Sequence, residues 1–413
     1  MFKFCIDVTR RKDYTLKRKS LQIKVNRAYV TVFFSLLFLF LLLCSEMMFF
    51  LGTTKAAFIM GMQKTYLFIG ILVCGIVAAT KQHPHLDAVI SVFIFFTIFT
   101  CISTIFGVKP DIIIWRQCVH LSFFASVLII FYKGNCCDHR AYLNMIYAIF
   151  VVLLCIYIWS AANVKSKSGN TVYYVLMFLP FVSLLKGKFI RNLFYIALVS
   201  LVLLSNKRTA LLAVIAYFLM FEYITNKRID EKLKIYKGIG YIIIVVIAYF
   251  VYPIILNKFG ITVFDEISNM SADGGSNRLL IYGQLWKAQL NGGVKHWLIG
   301  EGYNSVLLSK ICTDGIGGAW VSGHNDFFEV LYDYGIIGFF LYLSFLIGLI
   351  RKGIKMVGDS YSKAAPFLGS IAFVLVMSMT SHMIIYLNYY AVIMIFWAMC
   401  IAEYEYIRAY RLR

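Results

Sequence analysis

Long apolar runs recur through this chain, at roughly 28–51, 60–80, 86–106, 112–132, 141–162, 171–185, 189–205, 208–225, 238–257, 335–350, 365–383 and 385–403. About 20 apolar residues in a helix reach across the ~30 Å hydrocarbon core of a bilayer. In lipid, a helix is the open structure that satisfies its own backbone polar groups. The pattern predicts an all-α, polytopic membrane protein with about twelve transmembrane helices. The runs in 171–225 are crowded, and the short ones either tilt little or include a re-entrant segment. Composition agrees: the chain is 61% hydrophobic and 15% charged, more apolar surface than one soluble core hides. Cys44, Cys74, Cys101, Cys118, Cys155 and Cys400 sit inside the runs as small apolar residues. Cys136 and Cys137, with His139 nearby, read as part of a short basic loop rather than a metal site. The first run is too long for a cleavable leader and reads as a retained signal anchor.

Charge sets the orientation. The net charge of +20 would suggest nucleic acid in a soluble protein. Here Lys and Arg cluster in alternate loops: before Arg27, at Lys133/Arg140, Lys186/Lys188/Arg191, Lys227–Lys237 and Arg351–Lys355, and in the tail at Arg408–Arg413. Such alternation marks the cytoplasmic side, faces anionic lipid, and argues against nucleic acid as a partner. Both termini are then cytoplasmic. The chain divides into a basic N-terminus (1–27), spans one to nine (28–257), a large loop (258–333) on the opposite side, and spans ten to twelve with a cytoplasmic tail (334–413). The loop holds five Lys/Arg against eight Asp/Glu, unlike the rest of the chain, and its Trp, Phe and Tyr content predicts that it folds.

Several residues in or near that loop suit chemistry. A helix is expected from Arg278 through Leu290, capped by Ser276 or Asn277. A cation in a helix's first turn opposes the helix dipole, so Arg278 reads either as a solvated surface residue or as one with an anionic partner. Gly300-Glu301-Gly302 forms a tight turn. Gly323-His324-Asn325-Asp326 reads as a turn and helix start, which serves either as a polar cap or as a phosphate-binding N-terminus beside a proton-transfer histidine. Lys207-Arg208, at the outer start of the eighth span, either snorkels to the headgroups or helps hold a diphosphate. Arg116 and His120, one helical turn apart in the fourth span, are further candidates facing a cavity. The sequence shows no metal cage, phosphate-binding glycine loop or nucleophile–base triad.

The string HNDFFEVLYDYGIIGFFLYL, beginning at His324, resembles the signature of the O-antigen ligase and polymerase superfamily. Asn277-Arg278-Leu279-Leu280-Ile281-Tyr282 through Trp286 resembles that family's Arg-led helix. Trp297–Gly302 resembles its Gly-x-Gly turn. Ser205-Asn206-Lys207-Arg208-Thr209-Ala210-Leu211-Leu212 resembles its Ser-Arg-Thr-Ala-Leu span start, with Asn206 and Lys207 inserted and Arg208 taken as the family arginine.

The resemblance implies a GT-C-like membrane glycosyltransferase working at the periplasmic face of the bacterial inner membrane. Its donor and acceptor would be oligosaccharides linked to undecaprenyl diphosphate, or the acceptor lipid A–core, with a chain-length regulator as a further partner. Arg208 and Arg278 would bind the diphosphate and His324 would orient or deprotonate the attacking hydroxyl. Lys207, Arg116, His120, Asn325, Gly300 and Gly302 would line the substrate. No metal or cofactor is implied, because arginines take the electrostatic role. His-Asn-Asp-Phe-Phe-Glu-Val-Leu resembles the polymerase form more than the ligase form. A flippase or other polysaccharide transporter is the alternative from another class, but it is expected to carry broken or charged helices at mid-membrane rather than one folded outer loop.

Overall fold

The computed structural model of the protein describes residues 27–50, 86–107, 127–132, 139–163, 171–205, 207–225, 278–313, 320–384 and 387–411, with the isolated positions 52, 61 and 125. The basic N-terminus, the runs at 60–80 and 238–257, Arg116, His120, Cys136, Cys137 and loop residues 258–277 lie outside the described residues.

The helices, numbered in chain order, are α1 (Arg27–Phe50), α2 (Ala88–Ile105), α3 (His139–Asn163), α4 (Val172–Leu176), α5 (Leu179–Val182), α6 (Lys188–Leu204), α7 (Arg208–Thr225), α8 (Arg278–Leu290), α9 (Val294–Ile299), α10 (Ser305–Leu308), α11 (Asp326–Gly358), α12 (Ala364–Thr380) and α13 (Leu387–Arg411). One two-residue hairpin, Cys312–Thr313 against Trp320–Val321, is antiparallel.

Among the described residues five helices are long and apolar enough to cross a membrane, within α1, α2, α3, α11 and α13. Val172–Val182, Thr209–Thr225 and Ala364–Thr380 are apolar but shorter. The protein is thus a multi-pass helical membrane protein, while a total of about twelve spans and a GT-C-like arrangement remain expectations from the sequence. One expected span takes a different form. The run at 171–185 is broken into α4 and α5, which are buried along their whole length. Pro180, near the start of α5, has no N–H for the Leu176 carbonyl, and its ring clashes with a continuous turn there.

α2 shows why the fold needs lipid. Phe95, Ile98, Ile102 and Ile105 face outward, while Thr97, Thr100, Ser103 and Thr104 are buried. A water-soluble helix places its polar stripe outside. Here the apolar stripe is outside and the hydroxyls point into protein, as a bilayer demands. The threonines satisfy themselves on their own helix, Thr97 on the Phe93 carbonyl at 2.9 Å and Thr104 on Thr100 at 2.7 Å.

The two ends of α2 fix the two faces of the bundle. At its N-terminus, Lys352 on α11 lies 2.5 Å from Asp87 and 2.7 Å from Glu405 on α13. At its C-terminus, Ser103 donates to the carbonyls of Ile299 and Asp333, and Thr104 accepts from the Tyr303 N–H at 3.1 Å. The basic end of α11, at Arg351–Lys355, and the loop therefore lie at opposite ends of α2; the inter-helix loop expected at Arg351–Lys355 is instead the last turns of α11.

The loop residues 278–334 form a compact body with a small core of Ile281, Leu285, Val306, Cys312 and Tyr332. His296 is buried within it, 3.0 Å from Glu301 and 3.0 Å from Gln289. The body is seated on α11 through two glycines that meet back to back. Gly335 has φ +63 and kinks α11; a Cβ there would lie 2.5 Å from the Leu298 carbonyl carbon. A Cβ on Gly300, φ +72, would lie 2.3 Å from the Asp333 backbone. Only glycine tolerates both this conformation and this approach. Gly302 likewise lies against α2, where a Cβ would come 2.9 Å from the Thr104 Cα. The contacts of Gly300 and Gly302 are thus with protein backbone, and these alone account for the glycine requirement.

Candidate active site

Asn325 caps α11: its side-chain oxygen accepts from the N–H groups of Phe327 at 2.9 Å and Phe328 at 3.2 Å, and its amide donates to the Met379 carbonyl at 3.0 Å. Of the two readings left open for this helix start, the polar cap is present: Asn325 satisfies the Phe327 and Phe328 amides.

His324, just before the cap, has φ +51. A non-glycine residue in this left-handed region persists when its surroundings over-determine it. The Gly323 N–H donates to the buried Glu329 carboxylate, and the Tyr282 hydroxyl donates to the His324 carbonyl at 3.2 Å. Glu329 belongs to a stripe. Asp326, Glu329 and Asp333 lie at spacings of three and four on one face of α11, and all three are buried. Each carboxylate holds a different backbone segment. Asp326 accepts from Met383 at 2.8 Å, Ile384 at 3.3 Å and the Ser378 hydroxyl at 2.6 Å. Asp333 accepts from the Asn304 N–H at 2.6 Å, and from the Ser305 N–H at 3.0 Å and hydroxyl at 2.6 Å. One helix face therefore gathers the loop, the His324 turn and the α12–α13 connection.

Around His324 the cations assemble. Arg278, in the first turn of α8, donates to the Thr209 hydroxyl at 3.2 Å, which ties the loop to the start of α7. Burial pushes the His324 imidazole from its ordinary value down to about 4, and the positive charges of Arg278 and Lys207 push the same way. His324 is thus neutral at physiological pH and able to accept a proton. Three segments far apart in sequence, at Lys207–Thr209, Arg278 and His324, meet at one place. Arg208 opens α7 beside Thr209; its side chain is outside the described residues. Arg116 and His120 also lie outside them.

The structure adds a residue that sequence reasoning passed over. The ring of His382, in the α12–α13 connection, stacks on that of His324 with centroids 4.6 Å apart and planes at 29°. Its Nδ1 is 3.2 Å from the Ser322 hydroxyl. Burial holds it down to about 3, with lesser contributions from His324 and Arg278. The available signal was its place: a histidine one residue from the end of the apolar run at 365–383, on the loop side of the bundle if the runs alternate.

The folded loop thus holds His324 close to the positive charges of Arg278 and Lys207 at one end of a bundle of apolar helices, the arrangement of a multi-pass helical membrane protein. Residues 193–343 match the family model for O-antigen ligase, a likeness that supports the O-antigen ligase/polymerase superfamily, whose members are glycosyltransferase-like enzymes. No curated protein matches the chain significantly. The matched segment runs from α6 to the first half of α11 and contains Lys207, Arg208, Arg278 and His324, whereas His382 lies beyond it.

Proposed function

We propose that this protein is a metal-independent membrane glycosyltransferase that joins oligosaccharide repeat units carried on undecaprenyl diphosphate, an O-antigen polymerase. The observation that carries the reading is the convergence of Arg278, Lys207 and a neutral His324 at the loop–bundle junction. The acceptor sugar's hydroxyl attacks the anomeric carbon of the donor. The new glycosidic C–O bond forms as the bond to the diphosphate oxygen breaks, and the bonding electrons leave with undecaprenyl diphosphate. His324 takes the hydroxyl proton. Arg278, with Arg208 and Lys207, stabilises the departing diphosphate, which needs fixed positive charge rather than covalent help. A bound diphosphate also offsets the cations that hold His324 down, and so raises its basicity when the substrate is present.

The site lies, on this reading, at the periplasmic face of the inner membrane, with both termini cytoplasmic. A second reading is favoured by the family's own description: a ligase moving the finished glycan onto lipid A–core. Deleting the gene in its host and running the surface polysaccharide on a gel separates them. Loss of a polymerase leaves core capped with a single repeat and no ladder. Loss of a ligase leaves bare core, with long chains stranded on the carrier lipid. Bare core with unpolymerised repeats trapped inside the cell identifies a flippase and removes the glycosyltransferase reading altogether.

A further inference from the structure

We propose that His382 is a positioning residue for His324, a second imidazole that the α12–α13 connection presses against the face of the first. This deepens the proposed function and rests on it. Several independent contacts place the ring. His382 is 5% exposed. Its Nδ1 meets the hydroxyl of Ser322, two residues before His324, at 3.2 Å, and its carbonyl accepts from the Tyr389 hydroxyl on α13 at 3.2 Å. The two amides that follow it are held by Asp326, itself two residues after His324. Asn325 reaches across to Met379, three residues before His382. Both histidines are therefore anchored, by short steps, to the same first turn of α11, and their separation is set by that turn.

The geometry of the pair decides what it does. At an interplanar angle of 29° the rings meet by their faces. The N–H groups and lone pairs of an imidazole lie in the ring plane, so stacked rings exchange no direct hydrogen bond. The stack therefore gives no direct path for a proton between the rings, and what the contact supplies is orientation. His324 sits on a turn whose backbone is already fixed by Glu329 and Tyr282, but a fixed backbone leaves the side-chain torsions free to change. A flat surface against one face removes that freedom and holds the ring plane toward the acceptor hydroxyl. A general base gains much of its advantage from such placement, and a displacement of about 1 Å costs on the order of 100-fold in rate.

The test uses the full-length protein in proteoliposomes, with lipid-linked oligosaccharide extracted from the deletion strain as substrate. His382→Ala is expected to lower kcat on the order of 10- to 100-fold while leaving KM within about twofold, since His382 touches the base and not the substrate. His382→Phe restores a flat ring and is expected to recover most of kcat; His382→Asn keeps a polar group for Ser322 without the ring and is expected to stay with alanine. Wild-type kcat in His382→Ala, or a KM that rises in step with the loss, overturns the proposal. Should His382→Ala unfold on heating well before wild type, the Phe and Asn variants decide: kcat in Phe at least about tenfold above Asn supports ring positioning, and equal values overturn it. His324→Ala is the control for the underlying site. If it retains transfer, the site reading itself is lost. If it is inactive and His382→Ala is normal, only the positioning role is lost.

Discussion

Replacing Arg278 examines geometry and charge separately. A guanidinium has five donors, and one contact, to Thr209, leaves enough for a two-bond fork on a diphosphate. A hydrogen bond between charged groups contributes about 1.5–3 kcal/mol, so removing a fork with Arg278→Ala raises the barrier by about 3–6 kcal/mol. At about 1.4 kcal/mol per decade that is a fall in kcat/KM of roughly 10²- to 10⁴-fold. Arg278→Lys keeps a point charge and loses about one of the two bonds, a fall of roughly 10- to 100-fold. A second effect runs in the opposite sense. Arg278 is one of the charges that hold His324 down near 4, so its removal lets the imidazole rise toward 6.5. The acid limb of the residual pH–rate profile, where His324 becomes protonated and ceases to be a base, should move to higher pH in Arg278→Ala and stay in place in Arg278→Lys. Both rates and profiles are measurable in proteoliposomes across pH 4–8. Arg278→Ala within about twofold of wild type would refute the diphosphate contact. An acid limb that does not move would refute the placement of Arg278's charge beside His324.

Gly335→Ala forces a Cβ to within 2.5 Å of the Leu298 carbonyl carbon at φ +63, and the left-handed strain and overpacking together cost about 2–5 kcal/mol. Its expected signature is faster proteolysis between 278 and 334 with the spans intact; unchanged cleavage removes the glycine contact as the loop's anchor. A cysteine at position 276, in an otherwise cysteine-free chain, should react with an impermeant thiol reagent from the periplasm, whereas one at 362 should not, and reversed labelling inverts the orientation. Protonating His324 is disfavoured in the folded site relative to a solvated imidazole, so the part of the loop's hold on α11 that depends on His324 should be constant above about pH 6.5 and weaken as pH falls toward 4, against an opposite trend from Asp326 and Asp333, whose carboxyls burial raises to about 7. Hydrogen exchange of the loop amides measures this as the difference between wild type and a variant lacking both His324 and His382, and equal pH profiles for the two would refute it.

Hydrophobic run length is a local property, and it suffices to predict a helical, multi-pass membrane chain. A run long enough to cross a bilayer is also long enough to form a helix, and the ends of α1 and α2 and the start of α13 fall within a few residues of the apolar boundaries, while α13 runs on to Arg411, eight residues past its run. The helix beginning at Arg278, the start of α11 after Asn325, and the placement of the loop opposite Lys352 were likewise legible. Arg278 and His324 were singled out from the sequence because an Arg opening a helix and a His beside a cap are unusual where they stand, and the structure brings them together. Three things were decided by tertiary structure. Helical periodicity gives an N-cap and an anion site the same pattern, and only the Asn325 bonds show that the cap is present. The stripe of Asp326, Glu329 and Asp333 reads as an ordinary acidic face until each carboxylate is seen holding backbone from a distant segment. His382 lies 58 residues from His324, and nothing local to either specifies that pairing. A sequence fixes which groups are present and which short segments are helical. Their meeting depends on how α11, α12 and the loop pack, and that is settled by close approaches such as Gly300 on Asp333, which exist only once the whole chain has folded.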